Sequence, residues 1–189
     1  ANLTSSANAY SFPVGKGGTY YPFSLTTLTT GATAPEITVE AFQSSSGGSA
    51  DGTGLTSLST SEYWSVSYTG NYTNGSISLT RQSALGTLSV IGRSSTLSGT
   101  YSSLSGSVSG TSINSSNLTG SSLGYFVMAN AAPVITLSSS NPAVSSGNFS
   151  QGASKQVIYK FTLAISTGNA NLTQVSFITT NSSASDINK

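Results

Sequence analysis

Apolar residues along this chain recur at every second position, and that period selects pleated strands over helices. Val157, Tyr159, Phe161, Leu163 and Ile165 place their side chains on one face of a single extended segment. Tyr21, Phe23 and Leu25 alternate with smaller or polar residues, as do Ile37, Val39 and Ala41, and Trp64, Val66 and Tyr68. Ile77 with Leu79, Leu88 with Val90, and the segment from Leu172 to Ile178 continue the pattern. Gly124-Tyr-Phe-Val-Met128 is a continuous apolar run, which suits a strand buried on both faces. About a third of the chain is Ser and Thr, with 20 Gly besides. These residues are poor in helix interiors, while the β-branched ones suit a pleated surface. The expected class is all-β: antiparallel, immunoglobulin-like β-sandwich modules, one full and one smaller or incomplete.

Turn signals separate the strands. Asn74-Gly75 lies between the Trp64 and Ile77 segments and predicts a hairpin turn, since both residues tolerate positive φ. Residues 43–54 form a Ser/Gly-rich loop, and residues 94–122 are nearly low-complexity. Ala131-Ala132-Pro133 marks a boundary, which predicts a β-sandwich over 1–132 and a short β module over 133–189. The second has few strand candidates against the roughly seven of a sandwich. It is expected to be truncated or completed by another chain.

The chemistry is defined by what is missing. The chain has no His and no Cys, 6 Lys+Arg and 5 Asp+Glu, for a net charge of +1. A Ser-His-Asp triad needs the His, and thiolate or Cys-based zinc chemistry needs the Cys. No case arises for nucleic acid, which calls for a basic patch. No apolar run approaches the ~20 residues of a membrane-spanning helix. Gly120-Ser-Ser-Leu-Gly124 matches a nucleophile-elbow spacing, which chance supplies readily in so Ser-rich a chain. Glu36 and Glu40 share a strand face, but their Cα atoms are about 13 Å apart, too far for a glycosidase pair. Glu62 is a third carboxylate that the fold can bring to either. Asp51-Gly-Thr-Gly54 and Asp186-Ile-Asn188 offer oxygen ligands for calcium, against the simpler reading as turns. No catalytic residue, metal site or cofactor is expected.

Two binding readings remain. Tyr20, Tyr21, Tyr63, Trp64, Tyr68 and Tyr72 cluster in sequence. Alternation puts Trp64 and Tyr68 on one face with Tyr63 on the other, and Trp64 and Tyr72 are the candidates for stacking on a sugar ring. Glycosylation sequons begin at Asn2, Asn71, Asn74, Asn114, Asn117, Asn148, Asn171 and Asn181.

Certain runs resemble a known group. Phe12-Pro-Val-Gly15 followed by Lys16-Gly-Gly-Thr-Tyr-Tyr-Pro22 resembles the opening of β modules in large secreted proteins of Bacteroidota. Ser61-Glu-Tyr-Trp-Ser65 with Ser76-Ile-Ser-Leu-Thr80 resembles a hairpin of those modules. Leu97-Ser-Gly-Thr-Tyr101 and Leu123-Gly-Tyr-Phe126 resemble their closing strands. Gln151-Gly152, Val157 to Phe161 and Asn181 to Asp186 resemble a second such module. The resemblance implies export by type IX secretion, tandem β modules, a place outside the cell or on its surface, and a role as adhesin, filament or scaffold. It carries no catalytic residue.

The expected function is therefore a non-enzymatic extracellular structural or adhesive protein. It is expected to self-associate into a homopolymer, or to bind neighbouring β modules, by strand exchange, with residues 1–10 as donor arm. The alternative is a carbohydrate-binding module of a secreted multidomain protein, whose partner is a surface polysaccharide.

Overall fold

A computed structural model of the chain describes residues 3–5, 9–116, 119–139, 161–165 and 173–174. The chain divides into two compact units, Ala1–Ala132 and Pro133–Lys189. In chain order the first contains β1 (Tyr10–Phe12), β2 (Gly15–Lys16), β3 (Thr19–Tyr20), β4 (Phe23–Thr30), β5 (Glu36–Phe42), β6 (Ser49–Ala50) and β7 (Leu55–Leu58). It continues with β8 (Tyr63–Thr69), β9 (Tyr72–Thr80), β10 (Val90–Ser94), β11 (Thr100–Ser103), β12 (Ser107–Ser109), β13 (Ser112–Asn114) and β14 (Gly124–Ala131). No helix occurs among the described residues. The all-β antiparallel sandwich expected from the periodicity is the fold found.

One sheet has the order β1-β4-β9-β13-β12. The other runs β5-β8-β14-β10-β11-β6, with β7 also paired to β14, and β2 and β3 form a separate two-stranded ribbon. Pleating sorts the first sheet into rows. Phe12, Phe23, Leu79 and Ile113 are successive cross-strand partners, and the last three are fully buried. The neighbouring row, Ser11, Ser24, Ser78 and Asn114, points the other way. Ala41, Trp64, Val66, Ile91, Phe126 and Met128 of the second sheet meet Phe23, Leu25, Ile77, Leu79 and Ile113 in one buried cluster. Each buried Val, Leu, Ile, Phe or Met side chain among them contributes about 1.5–3 kcal/mol by leaving water.

The apolar run of β14 is buried on both faces. Phe126 and Met128 enter the core between the sheets. Val127 and Ala129 enter a second cluster with Leu55, Tyr63, Val90 and Tyr101. The segment from β6 to β7 closes that second cluster. β6 pairs with β11 in parallel while β7 pairs with β14, so the segment returns across β10. Gly92 of β10 makes room for it: a Cβ there would lie 3.0 Å from Leu55 Cδ1 and 3.2 Å from Val127 Cγ2. The low-complexity stretch 94–122 thus contains β11, β12 and β13, besides the end of β10. Tyr101, Leu104 and Ile113 are its buried anchors.

One local expectation is corrected. Asn74 and Gly75 are not a turn but lie inside β9, where Asn74 pairs with Thr29. The chain turns instead at Gly70, whose φ is +81° and where a Cβ would lie 2.7 Å from Ala34 O. The strands it joins, β8 and β9, belong to different sheets, so the connection crosses the sandwich and makes no hairpin. Of residues 1–10, the expected donor arm, residues 3–5, 9 and 10 are described. Leu3 is buried in the core of its own sandwich and its N–H donates to Pro35 O. Tyr10 to Phe12 pairs with β4. Leu3 and Tyr10 thus dock on their own chain.

In the second unit, β15 (Ile135–Ser139) and β16 (Phe161–Ile165) form an antiparallel ribbon. Val157, Tyr159, the segment 172–178 and Asp186-Ile-Asn188 fall, wholly or in most of their length, outside the described residues.

Candidate functional site

Four strand ends meet at one end of the sandwich. Phe23, which opens β4, pairs with Leu79 near the close of β9 in the first sheet. Phe42, which closes β5, pairs with Tyr63, which opens β8, in the second. The residues flanking these ends line a cleft of about 500 Å³. Tyr21, Arg81, Gln82 and Ser83 come from the first pair of strand ends; Gln43, Ser61 and Glu62 come from the second; Thr19 comes from the β2–β3 ribbon.

Glu62 is the buried carboxylate of this cleft, 1% exposed. Its placement is local. Ser59 N–H donates to Met128 O, Ser61 N–H donates to Ser59 Oγ at 3.3 Å, and Ser59 Oγ donates to Glu62 Oε1 at 3.0 Å. The turn therefore holds the carboxylate before β8 begins. Arg81 Nη1 reaches the same Oε1 at 3.4 Å from the other sheet. Arg81 N–H donates to Thr111 O and its Nε–H donates to Ser83 Oγ at 2.7 Å. The wall beside them is fixed by Trp64, whose Nε1–H donates to Tyr21 O at 2.8 Å. Sequence reasoning missed Arg81 and took Glu62 only as a partner for Glu36 or Glu40. The available signal was position: in a chain so poor in charge, Glu62 directly precedes a strand and Arg81 directly follows one.

Trp64 and Tyr72, expected to stack on sugar, are core residues. Trp64 is fully buried and Tyr72 is 5% exposed, so neither ring offers a face to a ligand. Tyr72 Oη bonds Thr119 Oγ1. A Cβ at Gly75 would stand 3.2 Å from Tyr72 Oη and 3.3 Å from Leu25 Cδ2; only glycine leaves that space. Burial raises the Tyr72 pKa above its ordinary 10.0, with the Thr119 bond and the Arg93 charge opposing. Tyr63 on the opposite face is also buried, stacked on Phe42 with ring centres 4.6 Å apart. Tyr20, by contrast, is 47% exposed.

The remaining candidates separate. Glu36 and Glu40 are both exposed on β5, and Glu40 meets Lys16 at 3.9 Å in a solvated pair. Neither carboxylate joins Glu62. Asp51 Oδ1 accepts N–H bonds from Thr53, Gly54 and Leu55 at 2.9–3.1 Å. Desolvation raises its pKa, but the bonds from Leu55, Gly54 and Thr53 together outweigh it and hold the carboxyl below 3.8. This is a turn clamp. Among the described residues no group of three His, Cys, Asp or Glu is placed to hold a metal. Ser122 of the Gly120–Gly124 run accepts a bond from Arg93, and Tyr68 Oη donates to Ser121 O.

Of the sequons, Asn71 is exposed at the crossing turn, with its Oδ1 accepting Thr33 N–H at 3.1 Å. Asn74 and Asn114 lie half-buried in β9 and β13. Asn2, Asn117, Asn148, Asn171 and Asn181 lie outside the described residues. Among the described residues no helix is long and apolar enough to cross a membrane. In comparisons with known proteins, the chain matches no family model, no curated protein and no solved structure.

Proposed function

We propose that this chain is a non-enzymatic structural and adhesive module of an extracellular or cell-surface protein. Its second unit would associate with further copies, or with neighbouring β modules, to build a filament. One observation carries the reading. In the β15–β16 ribbon, Ile135 stands opposite Ile165 and Leu137 opposite Leu163, so the four share a face. They are 50%, 41%, 61% and 36% exposed in that order. A two-stranded ribbon alone is marginal in water, and an exposed apolar face calls for a covering layer. Among the described residues β15 has one strand neighbour, β16; in this reading a strand from another subunit would pair along its other edge. The resemblance to secreted Bacteroidota modules supports the same reading by analogy.

Sedimentation of the purified chain, with electron micrographs of the same sample, tests this. Oligomers or filaments are expected, and Leu137→Asp with Leu163→Asp should shift them to monomers. A chain that stays monomeric at every concentration would overturn the proposal.

The end cleft favours a second reading, a carbohydrate-binding module. Its lining combines amides, hydroxyls and one ion pair, the groups that recognise sugar hydroxyls. A glycan array separates the two readings.

A further inference from the structure

We infer that the Glu62–Arg81 cleft binds a neutral saccharide. The inference rests on the carbohydrate-binding reading and gives it a site.

The first argument is the ion pair itself. A buried ion pair stabilises little against an apolar pair of equal volume, because both charges lose water. This chain has 5 acidic residues in all, yet one of them is 1% exposed at the base of the cleft and is met by an arginine. Stability alone does not account for that placement. Preorganised polar groups at the base of a cleft do.

The second argument is the chemistry of the lining. Glu62 and Arg81 cancel, so the cleft attracts neither anions nor cations as such. Gln43 and Gln82 each supply an amide donor and an amide acceptor. Ser61, Ser83 and Thr19 supply hydroxyls that act as either. A ligand matched to alternating donors and acceptors without charge is a polyhydroxyl ring. The volume of about 500 Å³ lies in the usual small-molecule range of ~300–1,000 Å³.

The third argument is the place of the cleft in the fold. A shallower depression of about 350 Å³, bounded by Pro13 and residues 15–20, shares Thr19 with the cleft. Tyr20, the exposed aromatic of the sequence cluster, lines that depression and not the cleft, because its neighbours Thr19 and Tyr21 are the ones that face the cleft. The site also sits where a sandwich can vary its loops without disturbing the sheets.

The test is an amide-resolved NMR titration of the whole chain. The probes are glucose, galactose, mannose, xylose and N-acetylglucosamine, their oligomers, and glucuronate and glucosamine as charged controls. At least one neutral sugar should give saturable shifts at Gln43, Gln82 and Ser83. Gln43→Ala and Gln82→Ala, both at exposed positions, should each weaken it about tenfold, the loss of one ligand hydrogen bond. Tyr20→Ala, outside the cleft lining, should leave binding unchanged. Preference for either charged control would overturn the inference. Saturable sugar binding that the glutamine variants leave intact would remove the cleft while keeping the carbohydrate reading. Silence from every sugar would remove both, and would leave the association of the second unit to its own test.

Discussion

Glu62 and Arg81 tie the two sheets together: Arg81 Nη1, just past the end of β9, lies 3.4 Å from Glu62 Oε1, just before the start of β8. The side chains are 1% and 13% exposed, so removing either partner strands a charge. Arg81→Met is expected to lower stability by about 3 kcal/mol. The double variant Glu62→Leu/Arg81→Met should recover most of that loss, since an apolar pair avoids desolvating both charges. Urea unfolding of the four members of the cycle measures it. A double variant as unstable as the single one would contradict the argument.

Trp64 binds the wall of the cleft to the core. Trp64→Phe keeps most of the apolar volume but removes the Nε1–H bond to Tyr21 O. The buried carbonyl is then unsatisfied, at about 1–3 kcal/mol. Trp64→Ala should cost about 3–5 kcal/mol through the cavity it leaves. Thermal unfolding of the two variants ranks them.

Thr27 holds a left-handed conformation, φ +51°, that a β-branched residue seldom adopts. It stands where the register of β4 against β9 shifts, between Thr26 and Thr29. The shift lets Leu25 and Leu28, three apart, both enter the core. Thr27→Asn is expected to raise stability by about 1 kcal/mol, because Asn tolerates that region. A fall in the urea midpoint would show that the Thr27 Oγ1 bond to Ser76 Oγ outweighs the strain.

Stability should vary little between about pH 5 and 9, since no His titrates there. At the alkaline end, burial raises the pKa values of Tyr72 and Tyr101 above 10.0. The unfolded phenols lose protons first, so their contribution is full below pH 10 and is lost as pH rises through the folded values. At the acid end, the Asp51 pKa lies below 3.8. Its contribution is present above that value and is lost as pH falls through the folded one. Asp51→Asn should blunt the acid limb. Denaturant midpoints across pH check both limbs.

Period-two alternation determined much by local physics. It marked Phe23, Leu25, Trp64, Val66, Ile77 and Leu79 as one-face residues, and each is buried. The run at Gly124–Met128 announced a strand with two buried faces, because only such a strand can afford apolar residues at consecutive positions. What alternation cannot convey is which strand lies beside which. Asn74-Gly75 has the chemistry of a turn, yet in the fold it serves packing, giving space to Leu25 and Tyr72. Thr26-Thr27 has the chemistry of a strand, yet it bulges so that Leu28 can turn inward.

The aromatic cluster shows the same limit. Periodicity separated Tyr63 from Trp64, but both faces proved to be interior, because the β6–β7 segment returns to cover the outer one. The cleft was the least legible feature. Glu62 and Arg81 are separated in the chain by the whole of β8 and β9, and they meet because those strands run in opposite sheets and end on the same side. The sequence by itself determined the strands and their inward faces, through the two-residue pleat. Only the tertiary structure decided which faces were covered and which charges met, because those depend on sheet order, a relation between distant segments that no local period encodes.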